Sequence, residues 1–138
     1  MVPSAIRIYE TYNPGAVNKV SVFNLEGKEV TVWKGDDPTP IGSGKCVSEI
    51  PLKVKFKTNL VKIYLNSTEV EGWNEIDAVG LVDADGKTQW AAATSAEIGL
   101  NRSRCHRGCC SLRSATVFLF HIIVKDIPAC LRRFAGMT

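Results

Sequence analysis

Histidine is absent from the first 98 residues of this sequence, and cysteine occurs there only once, as Cys46. Nucleophilic catalysis by a Ser–His or Cys–His pair would therefore have to use His106 or His121, which both lie in the last 40 residues. The sequence also lacks a G-x-S-x-G motif, a complete P-loop and a dinucleotide-binding fingerprint. We therefore predict a protein with no catalytic residues, no cofactor and no enzymatic activity.

Long apolar segments are also missing. The longest run, 115–124, is interrupted by Thr116 and His121 and has half of the roughly 20 residues that a transmembrane helix needs. The first four residues, Met-Val-Pro-Ser, show neither the basic nor the apolar region of a signal peptide. We expect no membrane span, and the sequence does not indicate a cellular compartment.

Charge is distributed unevenly along the chain. Residues 1–98 contain ten Lys or Arg and thirteen Asp or Glu, whereas residues 99–138 contain seven basic residues and one acid, together with four of the five cysteines. No aromatic residue lies between Asn101 and Ser114 to stack on bases, so we expect no nucleic-acid partner. The composition predicts two regions: a partial β-sandwich binding module at 4–98, and at 99–138 a basic, cysteine-containing tail that is unrelated to it or poorly ordered.

Short alternating segments, separated by turn sequences, recur in the first region at a spacing of roughly ten residues. In 4–11, for example, Ile6 and Ile8 alternate with polar residues, and in 48–57 apolar residues alternate with three lysines. The predicted strands are 4–11, 16–24, 29–34, 48–57, 60–66, 75–82 and 88–93. This spacing is typical of an antiparallel β-sandwich or barrel.

Four features, in this order, resemble a known family: 5–17 (AIRIYETYNPGAV), Trp33, 56–67 (FKTNLVKIYLNS) and 72–81 (GWNEIDAVGL). They resemble the galactose-binding-like, or discoidin-like, β-sandwich domain of pappalysin-type proteins. They are also similar to the N-terminal domain of an F-box and leucine-rich-repeat protein. The resemblance covers about residues 4–92 and implies an all-β, antiparallel, jelly-roll-like sandwich.

The resemblance also shows two departures. In the family, one or more strands precede the segment that matches Ser4, and nothing from Gly99 onward resembles the family. We therefore expect the module to lack its N-terminal strands and to come from a multidomain parent. Three interpretations stay open: a non-catalytic module that binds a protein or glycan ligand, a non-functional truncated fragment or isoform of such a module, and a carbohydrate-active enzyme. The last would use Glu75 and Asp77, which are two residues apart and therefore share one face of a strand.

Ligands of sandwich modules usually contact loops at one end. Three loops, 12–15, 36–45 and 71–74, are therefore candidates. Trp73 lies in a loop-like context that suits a surface contact, whereas Trp33 and Trp90, at strand ends, are expected in the core or at its rim. The predicted ligand-binding residues are Tyr12, Asn13, Trp73 and Asn74.

Two further sites are suggested by short motifs. Asp83 and Asp85 resemble the opening of a calcium loop, although a hairpin turn built on Asp-Gly explains the same residues. We therefore predict no metal site. A calcium site formed by Asp83 and Asp85 is the alternative. Asn66 begins a glycosylation sequon, which would be used only in a secreted protein.

Overall fold

The structure, a computed structural model, describes residues 1–66, 68, 70, 72, 74–100 and 116–123, with the backbone alone described for 96–100 and 116–123. These residues form nine strands. They are β1 (Ala5–Tyr12), β2 (Val17–Phe23), β3 (Glu29–Lys34), β4 (Cys46–Pro51), β5 (Leu60–Asn66), β6 (Glu75–Val82), β7 (Thr88–Trp90), β8 (Ala93–Leu100) and β9 (Thr116–Ile123). Within the described residues, no helix is long and apolar enough to span a membrane.

The strands form two antiparallel sheets. One has four strands in the order β4-β1-β6-β7, and the other has five in the order β3-β2-β5-β9-β8. Apolar side chains from both sheets form one core, which confirms the predicted all-β sandwich. Its largest fully buried members are Ile6, Ile8, Val17, Val20, Val22, Ile50, Val61, Ile63, Leu65, Val70 and Leu81. Each such side chain contributes about 1.5–3 kcal/mol by leaving water.

The alternation in β5 shows how the sequence determines the register of the five-stranded sheet. Val61 and Ile63 point into the core, and Lys62 and Tyr64 point outward. Ile63 lies opposite Val20 of β2, so apolar side chains of neighbouring strands meet on one face. A slip of one residue would turn all of them to solvent, and the register is therefore strongly specified.

The predicted strand 48–57 is wrong in its second half, because β4 ends at Pro51. Proline has no N–H to donate to a sheet, so it is confined to strand ends and edges. Leu52 is nevertheless buried, and Val54 and Phe56 pack against the core from an irregular segment. The apolar alternation in this segment therefore reflects side-chain packing without strand pairing.

The predicted boundary at residue 98 falls inside β8, and β9 lies in the predicted tail. In the five-stranded sheet, β9 pairs with β5 on one side and β8 on the other. The four tail cysteines lie outside the described residues, and the division of the chain into two regions stays a prediction. Cys46 is a half-buried free thiol.

Three connections between the sheets lie at one end of the sandwich: β1–β2, β3–β4 and β5–β6. Antiparallel pairing brings the end of β1 beside the beginnings of β4 and β6, since Glu10 lies opposite both Cys46 and Ile76. In the other sheet, the beginning of β2 lies beside the end of β5. We call this the loop end of the sandwich.

Candidate functional site

Two of the predicted ligand-binding loops meet at the loop end. The side-chain amide of Asn74 donates a hydrogen bond to the backbone carbonyl of Asn13. Asn13 has a left-handed φ of 52°, a conformation that asparagine tolerates better than most residues. Tyr12, the last residue of β1, is half-exposed, and Trp73 lies outside the described residues. The structure therefore joins Asn13 to Asn74, while a ligand at these residues stays a prediction.

The third loop, 36–45, is joined to the loop end by Asp37. Its Oδ2 accepts a hydrogen bond from the backbone N–H of Val17 at 2.8 Å, and its Oδ1 accepts one from the N–H of Thr39 at 2.8 Å. Gly15 is in contact with the same loop, because a Cβ at this position would lie 2.7 Å from Cγ1 of Ile41. All three predicted loops thus converge.

A buried polar cluster lies beneath these loops. The hydroxyl of Ser48 donates to Oε2 of Glu10 at 3.0 Å, and it lies 2.5 Å from the hydroxyl of Thr39. Burial, followed by the negative charge of Asp37, raises the pKa of Glu10 to about 7. Such a pKa suits a general acid, but Glu10 is only 3% exposed and its contacts link strands and loops. We interpret the cluster as structural.

Sequence reasoning did not identify Glu10, although a signal was present. Ile6 and Ile8 define the inward face of β1, and Glu10 is the next residue in that alternation. A carboxyl group at an inward position requires hydrogen-bond partners, because an unpaired buried charge is costly. Ser48 and Asp37, which satisfy Glu10, lie far away in sequence and could not be assigned from it.

The turn that contains Asp83 is explained by backbone hydrogen bonds. Its Oδ1 accepts from the N–H groups of Asp85 and Lys87 at 3.0 and 2.9 Å. Asn24 forms the same turn between β2 and β3, where its Oδ1 accepts from Glu26 and Lys28 at 3.0 and 2.8 Å. The neutral Asn24 accepts the same pair of hydrogen bonds as Asp83. These bonds therefore explain the presence of Asp83 without a bound cation. The calcium candidates stay untested predictions.

The glycosylation candidate Asn66 is the last residue of β5. The hydroxyl of Thr68 donates to its Oδ1 at 2.6 Å, in an exposed position. Ser67, between them, lies outside the described residues. Modification of Asn66 stays a prediction.

The outer side of the four-stranded sheet carries a surface that we call the aromatic face, formed by Arg7, Tyr9, Val47, Glu49 and Trp90. Val47 and Trp90 are 49% and 47% exposed. The rings of Tyr9 and Trp90 meet edge to face, with centroids 5.3 Å apart. Arg7 Nε lies 2.6 Å from Glu49 Oε2 and forms an ion pair beside them.

Trp90 lies on this face because its neighbour in β6 is a glycine. Gly80 lies opposite Trp90, and a Cβ built on it would be 2.9 Å from Cε3 of the indole and 2.5 Å from Cγ2 of Thr88. The indole therefore rests against the backbone of β6 with its remaining surface toward solvent. Trp90 is therefore more exposed than the predicted position in the core or at its rim implies. Trp33 is half-buried and packs against the core, as predicted.

A pocket of about 200 Å³ lies beside Trp90. Its wall includes Asp77, Ile76 and Thr94. Asp77 lies at a β-bulge: Tyr9 of β1 pairs with Ala78 and the next residue pairs with Ile76, so Asp77 is skipped. Bulges redirect side chains, and they are common next to functional sites.

The bulge also affects the predicted catalytic pair. Glu75 and Asp77 are both exposed, but the pairing of β1 with β6 shifts register between them. Asp77 lines the pocket, and Glu75 is not part of its described wall. The simple alternation that would place both carboxylates on one face is interrupted.

The outer side of the five-stranded sheet has a different character. Tyr64 donates a hydrogen bond to Glu29, and the ammonium group of Lys19 lies 3.4 Å from the centre of the Tyr64 ring. Burial and the bond to Glu29 raise the pKa of Tyr64 to about 12. Lys62 lies 4.0 Å from the Glu29 carboxylate. These four described side chains on β2, β3 and β5 thus interact with one another.

The chain is similar in sequence to a known protein. The chain is 28% identical over 104 residues to F-box/LRR-repeat protein 4 from Bos taurus, and the match covers 67% of this chain and 17% of that protein. The chain therefore spans less than a fifth of the length of this relative. No protein-family model matches the chain. No solved structure matches it. The resemblance to an F-box and leucine-rich-repeat protein is confirmed as a partial similarity, and the galactose-binding-like assignment stays a prediction.

Proposed function

We propose that this chain is a non-catalytic β-sandwich module that binds a protein partner through the aromatic face. The observation that carries the proposal is the half-exposed pair Val47 and Trp90, with Tyr9 packed against the indole. Exposed aromatic side chains are enriched at protein interfaces and supply much of their binding energy. The ion pair of Arg7 with Glu49 gives this surface a polar flank.

The similarity to F-box/LRR-repeat protein 4 supports a role in protein interaction. Since the chain matches 17% of that protein, we further propose that the module belongs to a larger multidomain architecture. The two antiparallel sheets are compatible with the galactose-binding-like class that the sequence resembles, and we propose that class for the sandwich.

The proposal that the module is non-catalytic rests on the surroundings of two carboxyl groups, those of Glu10 and Asp77. Glu10 has a pKa suited to proton transfer, yet it is buried beneath the loops and bonded to Ser48. Asp77 is accessible, but the predicted catalytic partner Glu75 does not contribute to the described wall of its pocket. Among the described residues, neither carboxyl group shares a pocket with a second carboxyl group, as acid–base cleavage of a sugar requires.

Affinity purification from cells with quantitative mass spectrometry tests the proposal. We expect proteins that are retained by the wild-type chain to be lost with Trp90→Ala and with Val47→Glu, which adds charge to the same face. Leu25→Ala is the matched control, because Leu25 is 86% exposed in the turn between β2 and β3. Equal retention by the wild type, both face variants and the control would contradict the proposal, provided that all four show the same thermal melting.

A glycan ligand is the second candidate, and the exposed indole of Trp90 is the observation that favours it. A sugar ring can stack on such a surface, as on other exposed aromatic rings. A glycan array probed with the wild-type chain and with Trp90→Ala separates the two candidates. Saturable binding of one glycan that disappears with Trp90→Ala would favour this second function over protein binding.

A further inference from the structure

We propose that the pocket beside Trp90 binds one Lys or Arg side chain of the protein partner. This inference rests on the proposed function and specifies the chemistry of the ligand. Three observations carry it: the carboxylate of Asp77, the exposed indole of Trp90 and the size of the pocket.

Asp77 supplies an available negative charge. The bulge in β6 leaves it exposed, and among the described residues no basic side chain lies within ion-pairing distance of it. Two other exposed carboxylates on the strands differ, because Glu49 is paired with Arg7 and Glu29 lies near Lys62. A carboxylate at the wall of a pocket attracts a cation of complementary charge.

Trp90 supplies a surface that cations prefer. A guanidinium or ammonium group within about 6 Å of an indole face is attracted by its quadrupole. The indole is held in place on two sides, by the ring of Tyr9 and by the backbone of Gly80. A pre-positioned ring loses little conformational entropy when a ligand binds. Thr94 also lines the pocket.

The pocket is smaller than a typical small-molecule site and suits a small group. At about 200 Å³, it is smaller than the roughly 300–1,000 Å³ of sites that enclose a drug-sized molecule. Trp90 belongs both to the aromatic face and to the wall of the pocket. A partner bound to the aromatic face would therefore place one side chain in the pocket.

Titration of the full 138-residue chain, labelled with ¹⁵N, tests the proposal by NMR. The probes are acetyl-Ala-Arg-Ala-amide and the same peptide with citrulline, a neutral isostere, in place of arginine. We expect saturable shifts of the Trp90 indole N–H and the Asp77 amide with the arginine peptide. The citrulline peptide should bind more weakly by up to about fivefold, since an exposed charge pair contributes up to about that factor.

Asp77→Asn should weaken binding of the arginine peptide by about fivefold, while Asp85→Asn, an exposed aspartate in a turn, should leave it unchanged. Equal shifts with both peptides, or wild-type affinity of Asp77→Asn, would overturn the inference. In that case, partner capture that still depends on Trp90 and Val47 would leave the proposed function intact. If the arginine peptide shows no selectivity and partner capture does not depend on Trp90 and Val47, both the inference and the proposed function are overturned.

Discussion

The buried carboxyl group of Glu10 in β1 lies next to the carboxylate of Asp37 in the β3–β4 loop. The hydroxyl of Ser48 contacts both, at 3.0 Å from Glu10 Oε2 and 3.4 Å from Asp37 Oδ1. Because Asp37 also binds the backbone of Val17, this pair connects three strands and one long loop at the loop end. The position of these loops therefore depends on the buried carboxyl group of Glu10 and on its partly buried neighbour Asp37.

The stability of the protein should depend on pH through Glu10. Its folded-state pKa of about 7 exceeds the ordinary value of 4.5, so between these values the folded chain binds more protons than the unfolded chain. The free energy of unfolding should therefore fall as the pH rises through this window, by about 3 kcal/mol from this group. Glu10→Gln should remove that decrease, as measured by urea unfolding at pH 5 and pH 8.

Glu49→Gln is the control for this prediction, because Glu49 is exposed and lies outside the buried cluster. It should leave in place the decrease that is attributed to Glu10. A Glu10→Gln variant with the same difference in unfolding free energy between the two pH values would contradict the assignment.

Asp37→Ala should destabilise the loop end by about 2 kcal/mol, because it leaves the N–H groups of Val17 and Thr39 without their acceptor. Asp36→Ala changes the exposed neighbouring acid and should alter the unfolding free energy by less than about 0.5 kcal/mol. Chemical unfolding of both variants measures the difference. Equal effects of the two substitutions would show that Asp37 does not support the loops.

Gly80→Ala should displace Trp90, since the added Cβ would lie 2.9 Å from its indole. We expect a loss of about 2 kcal/mol and a change in near-ultraviolet circular dichroism. Gly44→Ala, where a Cβ would meet nothing within 4 Å, should be neutral or slightly stabilising. If Gly80→Ala melts like the wild type with an unchanged spectrum, the indole does not rest on β6.

Asp83→Asn should leave the stability nearly unchanged, because Asn24 forms the same turn with a neutral amide. Asp83→Ala should cost about 1 kcal/mol by removing the acceptor for two N–H groups. Thermal melting with and without calcium chloride checks both variants. A rise in the wild-type melting temperature with calcium that Asp83→Asn abolishes would instead establish a metal site.

The parts of the fold that the sequence predicts are those governed by local alternation. The inward Ile6 and Ile8 of β1 and the alternating Val61 and Ile63 of β5 predict their strands, because one buried face imposes a period of two. Pro51 carried the signal for the end of β4, since proline is disfavoured inside a strand. The apolar alternation after Pro51 predicts a longer strand than β4, because it reflects packing of Leu52, Val54 and Phe56 without strand pairing.

The candidate site was harder to predict, because it depends on contacts between distant residues. The bulge at Asp77 arises from the pairing of β6 with β1, and the exposure of Trp90 depends on Gly80 in the neighbouring strand. Neither relationship can be derived from adjacent residues. The convergence of the three loops, by contrast, follows once the strand order is known.

Site-specific photo-crosslinking tests most directly whether the aromatic face binds a protein. A photoreactive amino acid is placed in cells at Val47, on this face, or at Leu25, an exposed apolar position in the β2–β3 turn. We predict a discrete crosslinked protein from position 47 that disappears when Trp90→Ala is added, and none from position 25. The same crosslinked protein from both positions, or from position 25 alone, would contradict the claim.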